Sequence, residues 1–151
     1  VEFFSNNASD PGDYYIGEEI MKDRPALRFM DKPSKDGNSV DCWTSGTGNL
    51  DVHYSSGVAN HFFYLVSEGT GAKTIGNLPH NSTSCNGTTF TGITEAKAAK
   101  IWYRALTTYF TTGTTYAQAR VATLNAATDL YGPDSAERAT VATAWSAVSV
   151  N

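Results

Sequence analysis

The chain has 151 residues, a net charge of −4, 40% apolar residues and only 17% charged ones. That length fits one domain with a real core, and the apolar share excludes a disordered chain. The acidic balance argues against a nucleic-acid surface, and the longest apolar run, residues 62–66, is far too short to span a membrane.

Val1-Glu2-Phe3-Phe4-Ser5 reads as a helix entered partway along. It has neither a start Met nor a basic leader, so the chain is expected to be processed or cut from something longer. Residues 6–51 hold most of the Pro, Gly, Asp and Asn. Asn6-Asn7-Ala8-Ser9-Asp10-Pro11-Gly12-Asp13 and Lys32-Pro33-Ser34-Lys35-Asp36-Gly37-Asn38 are turn clusters, and little regular structure is expected there. From Ser55 the period changes. Val58, Phe62, Leu65 and Val66 mark one face of a helix, with Ser55 or Ser56 as N-cap and Gly69 as stop. The clearest helix runs from Ile93 to Phe110, with Ala98, Trp102, Ala105, Leu106 and Tyr109 on one stripe. Ala119, Thr123, Ala126, Ala127 and Leu130 form another, ended by Gly132-Pro133. Asp134-Ser135-Ala136-Glu137 has the look of a capping box, after which Val141, Ala142, Trp145 and Val148 face inward. The fold class is mainly α: residues 1–151 form a single domain, a compact bundle of about five helices with a loop-rich N-terminal segment draped over one side.

Chemistry is sparse. The three histidines, His53, His61 and His80, include no pair at zinc-site helical spacing, and no Cys-x-x-Cys, nucleophile elbow or phosphate loop occurs. His53 sits in Asp51-Val52-His53-Tyr54, just before a helix N-cap. In an extended segment Asp51 shares its face, so the pair is either an oriented proton donor and oxyanion stabiliser or a loop histidine bonded to its neighbour. Arg28, between apolar neighbours in Pro25-Ala26-Leu27-Arg28-Phe29-Met30, either enters a partly buried polar site or covers aromatics at the surface. Asp10, Asp13, Glu18 and Glu19, with Glu2 upstream, suit calcium or form a solvated acidic loop. Cys42 and Cys85 lie in loop sequence of a chain rich in Thr, Ser, Asn and Gly and poor in Lys, a profile that accompanies export. They are expected to form one disulfide, the alternative being two separate thiols.

Several segments carry a resemblance. Val1-Glu2-Phe3-Phe4, Tyr15-Ile16-Gly17-Glu18-Glu19-Ile20, Ala26-Leu27-Arg28-Phe29-Met30-Asp31-Lys32-Pro33, Asp51-Val52-His53-Tyr54-Ser55-Ser56-Gly57-Val58-Ala59-Asn60, Lys100-Ile101-Trp102-Tyr103-Arg104-Ala105-Leu106 and Ala126-Ala127-Thr128-Asp129-Leu130-Tyr131-Gly132 are similar to the C-terminal domain of thermolysin-like neutral metalloproteases, in the family's order and over nearly the whole chain. The resemblance implies a secreted, extracellular zinc metalloendopeptidase whose active site lies between an N-terminal catalytic domain and this helical one. Zinc would be held by two His of an H-E-x-x-H helix and a Glu further along, all outside this chain. His53 would stabilise the oxyanion, with Asp51 orienting it, although members of the family differ at the Asp51 position. Arg28 would bind a substrate backbone carbonyl on the leaving-group side. Ile16, Ile20 and Leu27 would help line the apolar pocket after the scissile bond. Glu2, Asp13 and Glu18, with the Tyr15 carbonyl, would match a calcium site, although the longer turn before Asp13 leaves Asp10 as an alternative.

The chain on its own is therefore expected to be inactive and to supply no zinc ligand or general base. Peptide or protein substrate, its own N-terminal domain, and a propeptide or protein inhibitor are the implied partners. The competing reading is a stand-alone module that binds a peptide, a propeptide or an inhibitor without catalysis.

Overall fold

The structure is a computed structural model and describes residues 2–5 and 7–151. Val1 and Asn6, assigned from sequence to the entering helix and the first turn, lie outside the described residues. The chain is mainly helical, as its patterning requires. A single turn, α1 (Glu2–Ser5), precedes two-residue strands β1 (Tyr15–Ile16) and β2 (Arg28–Phe29) and two short 3-10 turns at Pro33–Asp36 and Thr47–Asn49. Then come α2 (Val52–Ser55), α3 (Gly57–Glu68), a hairpin of β3 (Gly71–Ile75) and β4 (Leu78–Ser82), and the helices α4 (Glu95–Thr108), α5 (Tyr116–Tyr131) and α6 (Ala136–Ala147).

The core lies between α3, α4, α5 and α6. Trp145 is fully buried and stacks on Phe62, ring centroids 3.8 Å apart. Its indole N–H donates to the buried Thr123 hydroxyl at 2.7 Å, so the polar end of a large apolar side chain is satisfied. Ala105, Ala126, Ala127 and Ala144 are fully buried, and these small residues let the helices approach closely. Burial of each large apolar side chain contributes about 1.5–3 kcal/mol.

Five local readings need correction. First, the α4 stripe is rotated: Ile101 is buried with Ala98 and Ala105, while Leu106 is 52% exposed and Tyr109 lies at the surface. Leu130 on α5 is likewise exposed. Second, Ser135 does cap α6, accepting from the Arg138 N–H, but Glu137 falls one position short of N3 and cannot close a capping box. The box occurs instead at α5, between Thr115 and Gln118. Third, the helix assigned to Ser55 onward begins with a separate turn at Val52, and Ser56 makes no side-chain cap. Fourth, His80, which follows a proline and reads from sequence as a loop residue, is in a strand and buried. Fifth, residues 71–82, to which the sequence pattern assigns no element, form an antiparallel hairpin of β3 and β4 pairing Gly71 with Ser82 and Ile75 with Leu78. Its turn residues, Gly76 and Asn77, both have positive φ. That is the primed-turn geometry that matches strand twist.

The front segment, residues 7–51, carries little regular structure, as expected. β1 and β2 pair antiparallel, with Tyr15 opposite Phe29 and Ile16 opposite Arg28. Cys42 and Cys85 are joined in a disulfide. The backbone N–H groups of Trp43 and Cys85 bond to the carbonyls of Val148 and Ala147, so the bridge anchors the front to the C-terminal end of α6.

Candidate functional site

Asp51 is the N-cap of α2, its Oδ1 accepting the His53 backbone N–H at 2.9 Å. The same oxygen stands 2.6 Å from His53 Nδ1. His53 is thus in the first turn of a helix rather than in extended backbone, and one carboxylate oxygen serves both groups. The carboxylate can only accept, so the Nδ1 proton lies between the two and the Nε2 edge is left outside this contact. The His53 N–H first, then the imidazole, hold the Asp51 carboxyl below its ordinary range. The His53 side chain is 74% exposed, so that edge faces outward.

Arg28 leaves β2 with its guanidinium bonded to the Leu27 carbonyl at 2.8 Å and paired to Asp36 at 3.4 Å. Its central carbon lies 5.7 Å from the centroid of the Tyr54 ring, the residue after His53. Arg28 and His53 are therefore tied to one local structure. The Asp36 side chain is only 1% exposed, and that desolvation opposes its ionisation. The Ser39 hydroxyl and the Ser39 and Asn38 N–H groups outweigh this and keep its carboxyl below the usual range. Asp36 and Tyr54 are the anchors that sequence reasoning missed. Asp36 sat in a segment read only as a turn, and its distance in sequence from Arg28 follows no helical or strand period.

Ile16, Ile20 and Leu27 gather around the Gly17 turn. The Leu27 N–H bonds to the Ile16 carbonyl at 2.8 Å. A side-chain carbon at Gly17 would stand 3.2 Å from Leu27 Cβ and 3.5 Å from Ile20 Cγ1. Ile20 is 72% exposed and Ile16 43% exposed, so both leave apolar surface open to solvent. Ile16 also borders a cleft of about 300 Å³ walled by Phe4, Met30, Phe63, Trp102 and Leu106.

Glu2, Asp13 and Glu18 each place a carboxylate oxygen within 4.8 Å of the others. This is the one such group of three or more His, Cys, Asp or Glu among the described residues. Asp10 is outside the group and only borders the surrounding depression. Desolvation first, then mutual repulsion, raises the carboxyl pKa values of Glu2 and Glu18. Desolvation raises that of Asp13 too, against the Tyr15 N–H that bonds it at 2.8 Å. Glu18 Oε2 is shielded and has no hydrogen-bond partner. Converging anionic oxygens, one of them unpartnered, suit a hard cation such as calcium.

Among the described residues no group offers the nitrogen- or sulfur-containing ligand set that suits zinc. His53 is engaged by Asp51. His61 is buried, with Nδ1 2.8 Å from the Asp41 carbonyl and Nε2 3.0 Å from the Ser82 hydroxyl. His80 is enclosed beside Asp31 at 3.5 Å. The carboxylate trio offers no nitrogen or sulfur.

Residues 1–150 match the family described as thermolysin metallopeptidase, alpha-helical domain. The transglutaminase-activating metalloprotease of Streptomyces mobaraensis is 53% identical over 152 residues, covering 99% of this chain and 20% of that protein. Bacillolysin of Bacillus cereus is 40% identical over 157 residues, covering 100% of this chain and 25% of the relative. A thermolysin of Alicyclobacillus acidocaldarius is 37% identical over 156 residues, covering 99% and 26%. The chain thus spans about a fifth to a quarter of the relatives it matches.

Proposed function

The chain belongs to the thermolysin metallopeptidase family as its alpha-helical domain, and we propose that it forms one wall of the active-site cleft of a secreted zinc metalloendopeptidase. Zinc, held by residues outside this chain, supplies Lewis-acid activation of the scissile carbonyl and of the attacking water. The residues here bind and stabilise. His53, fixed at Nδ1 by Asp51, donates from Nε2 to the oxygen that becomes negative as the carbonyl turns tetrahedral. Arg28, held by Asp36, donates to a substrate backbone carbonyl on the leaving-group side. Ile16, Ile20 and Leu27 receive a large apolar side chain beyond the scissile bond.

The observation that carries this reading is the 2.6 Å contact between Asp51 and His53 Nδ1, with the opposite ring edge exposed. A histidine serving only its own loop has no reason to be fixed at one nitrogen and open at the other. The apolar cleft around Phe4, Tyr103 and Leu106 is the surface on which the N-terminal catalytic domain docks, since those side chains are large and exposed, Phe4 and Tyr103 by more than three-fifths. Substrate is a peptide or protein; a propeptide or protein inhibitor would occupy the same cleft.

Calcium belongs at Glu2, Asp13 and Glu18, with the Tyr15 carbonyl as a further ligand. The unpartnered Glu18 oxygen supports this. The test of the catalytic reading is His53→Ala in the full-length protein. It should lower kcat by about 10²–10³-fold and change KM little, because the oxyanion exists only in the transition state. A variant within a few-fold of wild type would reduce His53 to an ordinary surface histidine.

A further inference from the structure

Between Asp13 and Tyr15, two proposed calcium ligands, stands a residue that faces the other way. Tyr14 is 2% exposed, and its ring packs on Phe3, Tyr64 and His80 at centroid distances of 4.7, 4.9 and 6.3 Å. Its φ is +69°, in the left-handed region where a side chain is disfavoured and most residues do not settle unless the surroundings over-determine them. The Tyr14 hydroxyl donates to Glu68 Oε1 at 2.7 Å, at the last residue of α3. Glu68 is in turn braced by Lys73 on β3, whose ammonium bonds to the Glu68 carbonyl and lies 3.6 Å from Oε2.

The opposite side of the same loop is gripped as well. At Gly76, in the hairpin turn, a side-chain carbon would meet Asp13 Cβ at 2.4 Å and the Pro11 carbonyl oxygen at 2.9 Å. The backbone of the turn therefore lies directly against the cation loop. Three converging carboxylates repel one another when no cation is bound, and the segment that carries them has few apolar anchors: Tyr14, and Tyr15 with its ring 4.8 Å from Phe29 and 5.3 Å from His80. A phenylalanine would fill the core equally well. The hydroxyl adds a bond to a charged acceptor on a long helix, and that bond opposes loop opening.

We propose that Tyr14 is a positioning residue for the cation site: its buried ring and its bond to Glu68 hold Asp13 and Tyr15 in the binding geometry before the ion arrives. This rests on the calcium reading of Glu2, Asp13 and Glu18. Preorganisation of this kind raises affinity by lowering the ordering that binding demands, so the effect appears in the calcium Kd and not only in stability.

The experiment uses the full-length protein, with calcium titrated against a fluorescent chelator and hydrogen exchange followed at the Tyr15 amide, which reports loop closure through its bond to Asp13. Y14F should weaken calcium about tenfold, as loss of one hydrogen bond to a charged group predicts, and should speed Tyr15 exchange in calcium-free protein. E68A should match it, and the double variant should be no weaker than either single one. E68Q keeps an acceptor oxygen and should stay within about twofold of wild type. Unchanged calcium affinity in Y14F, whatever its melting temperature, would make Tyr14 a core aromatic and overturn the inference. Wild-type protein that binds no calcium would instead overturn the site reading on which it rests.

Discussion

The front segment, residues 7–51, and the helical back hold their shapes by different means. In the front, carboxylates stand in for absent secondary structure. Asp13 accepts from the Tyr15 N–H, Asp36 from the Asn38 and Ser39 N–H groups, and Asp41 from the Ser34 N–H and hydroxyl. In the back, small side chains let α4, α5 and α6 close on Trp145 and Phe62, and burial does the rest. Most of the side chains proposed to work lie on the front or at its junction with α2. The lesson is a division of labour: local polar bonds aim the functional groups, while a distant apolar core keeps the chain folded.

That division predicts that stability and catalysis separate by mutation. The largest expected effect is Trp145→Ala, which opens a cavity and removes the donor to the Thr123 hydroxyl, leaving that hydroxyl only its bonds to the helix carbonyls. It should cost about 3–5 kcal/mol in chemical denaturation. The kcat per folded molecule should stay near wild type, and a parallel fall would join the two regions. Next is the double change Cys42→Ser and Cys85→Ser. The bridge spans a sequence separation of 43, and its loss should cost about 2–4 kcal/mol, most of it through the unfolded chain. Because the bridge fastens the front to α6, protease nicking within residues 7–51 should rise first.

A smaller effect sharpens the front half of the comparison. Asp36→Ala should cost about 1–3 kcal/mol in denaturation, because the Asn38 and Ser39 N–H groups lose their acceptor, and should raise KM about tenfold for peptides, since Arg28 loses its anchor. Unaltered KM would mean that Arg28 needs no support. The smallest effect concerns His61. The Asp41 carbonyl can only accept, so the His61 proton sits on Nδ1 and Nε2 accepts from Ser82. Burial first depresses its pKa, against the Asp41 backbone bond and the nearby Asp41 and Asp31 charges. A histidine with a lowered folded pKa binds its proton more readily when unfolded. Its stabilising contribution is therefore full above about pH 6.5 and lost as pH falls toward the depressed folded value. His61→Gln should flatten that slope in pH-dependent melts.

Sequence periodicity carried the back well and the front poorly, for physical reasons. The α3 face of Val58, Phe62, Leu65 and Val66 is apolar at helical spacing and is buried as read. On α4 the aromatic and aliphatic residues surround the helix, so pattern alone turned the stripe toward Leu106 instead of Ile101. The β3–β4 hairpin was overlooked because its strands are polar, although Gly76-Asn77 between Ile75 and Leu78 is a hairpin signal. Asp51 and His53 were legible because both lie in one short motif. Asp36 under Arg28, and Glu68 under Tyr14, were not, because each pairing is made by tertiary folding across unrelated turns.

The most direct test of the catalytic claim compares how a tetrahedral phosphonate peptide and its parent substrate respond to His53→Ala in the full-length protein. The phosphonate carries the charge and shape that the carbonyl acquires only in the transition state. The account predicts that its inhibition constant rises by about the same factor as kcat/KM falls, roughly 10²–10³-fold, while KM for the parent peptide changes little. Equal, small losses for both ligands would contradict it and leave His53 as a residue that contacts bound peptide without stabilising the reacting carbonyl.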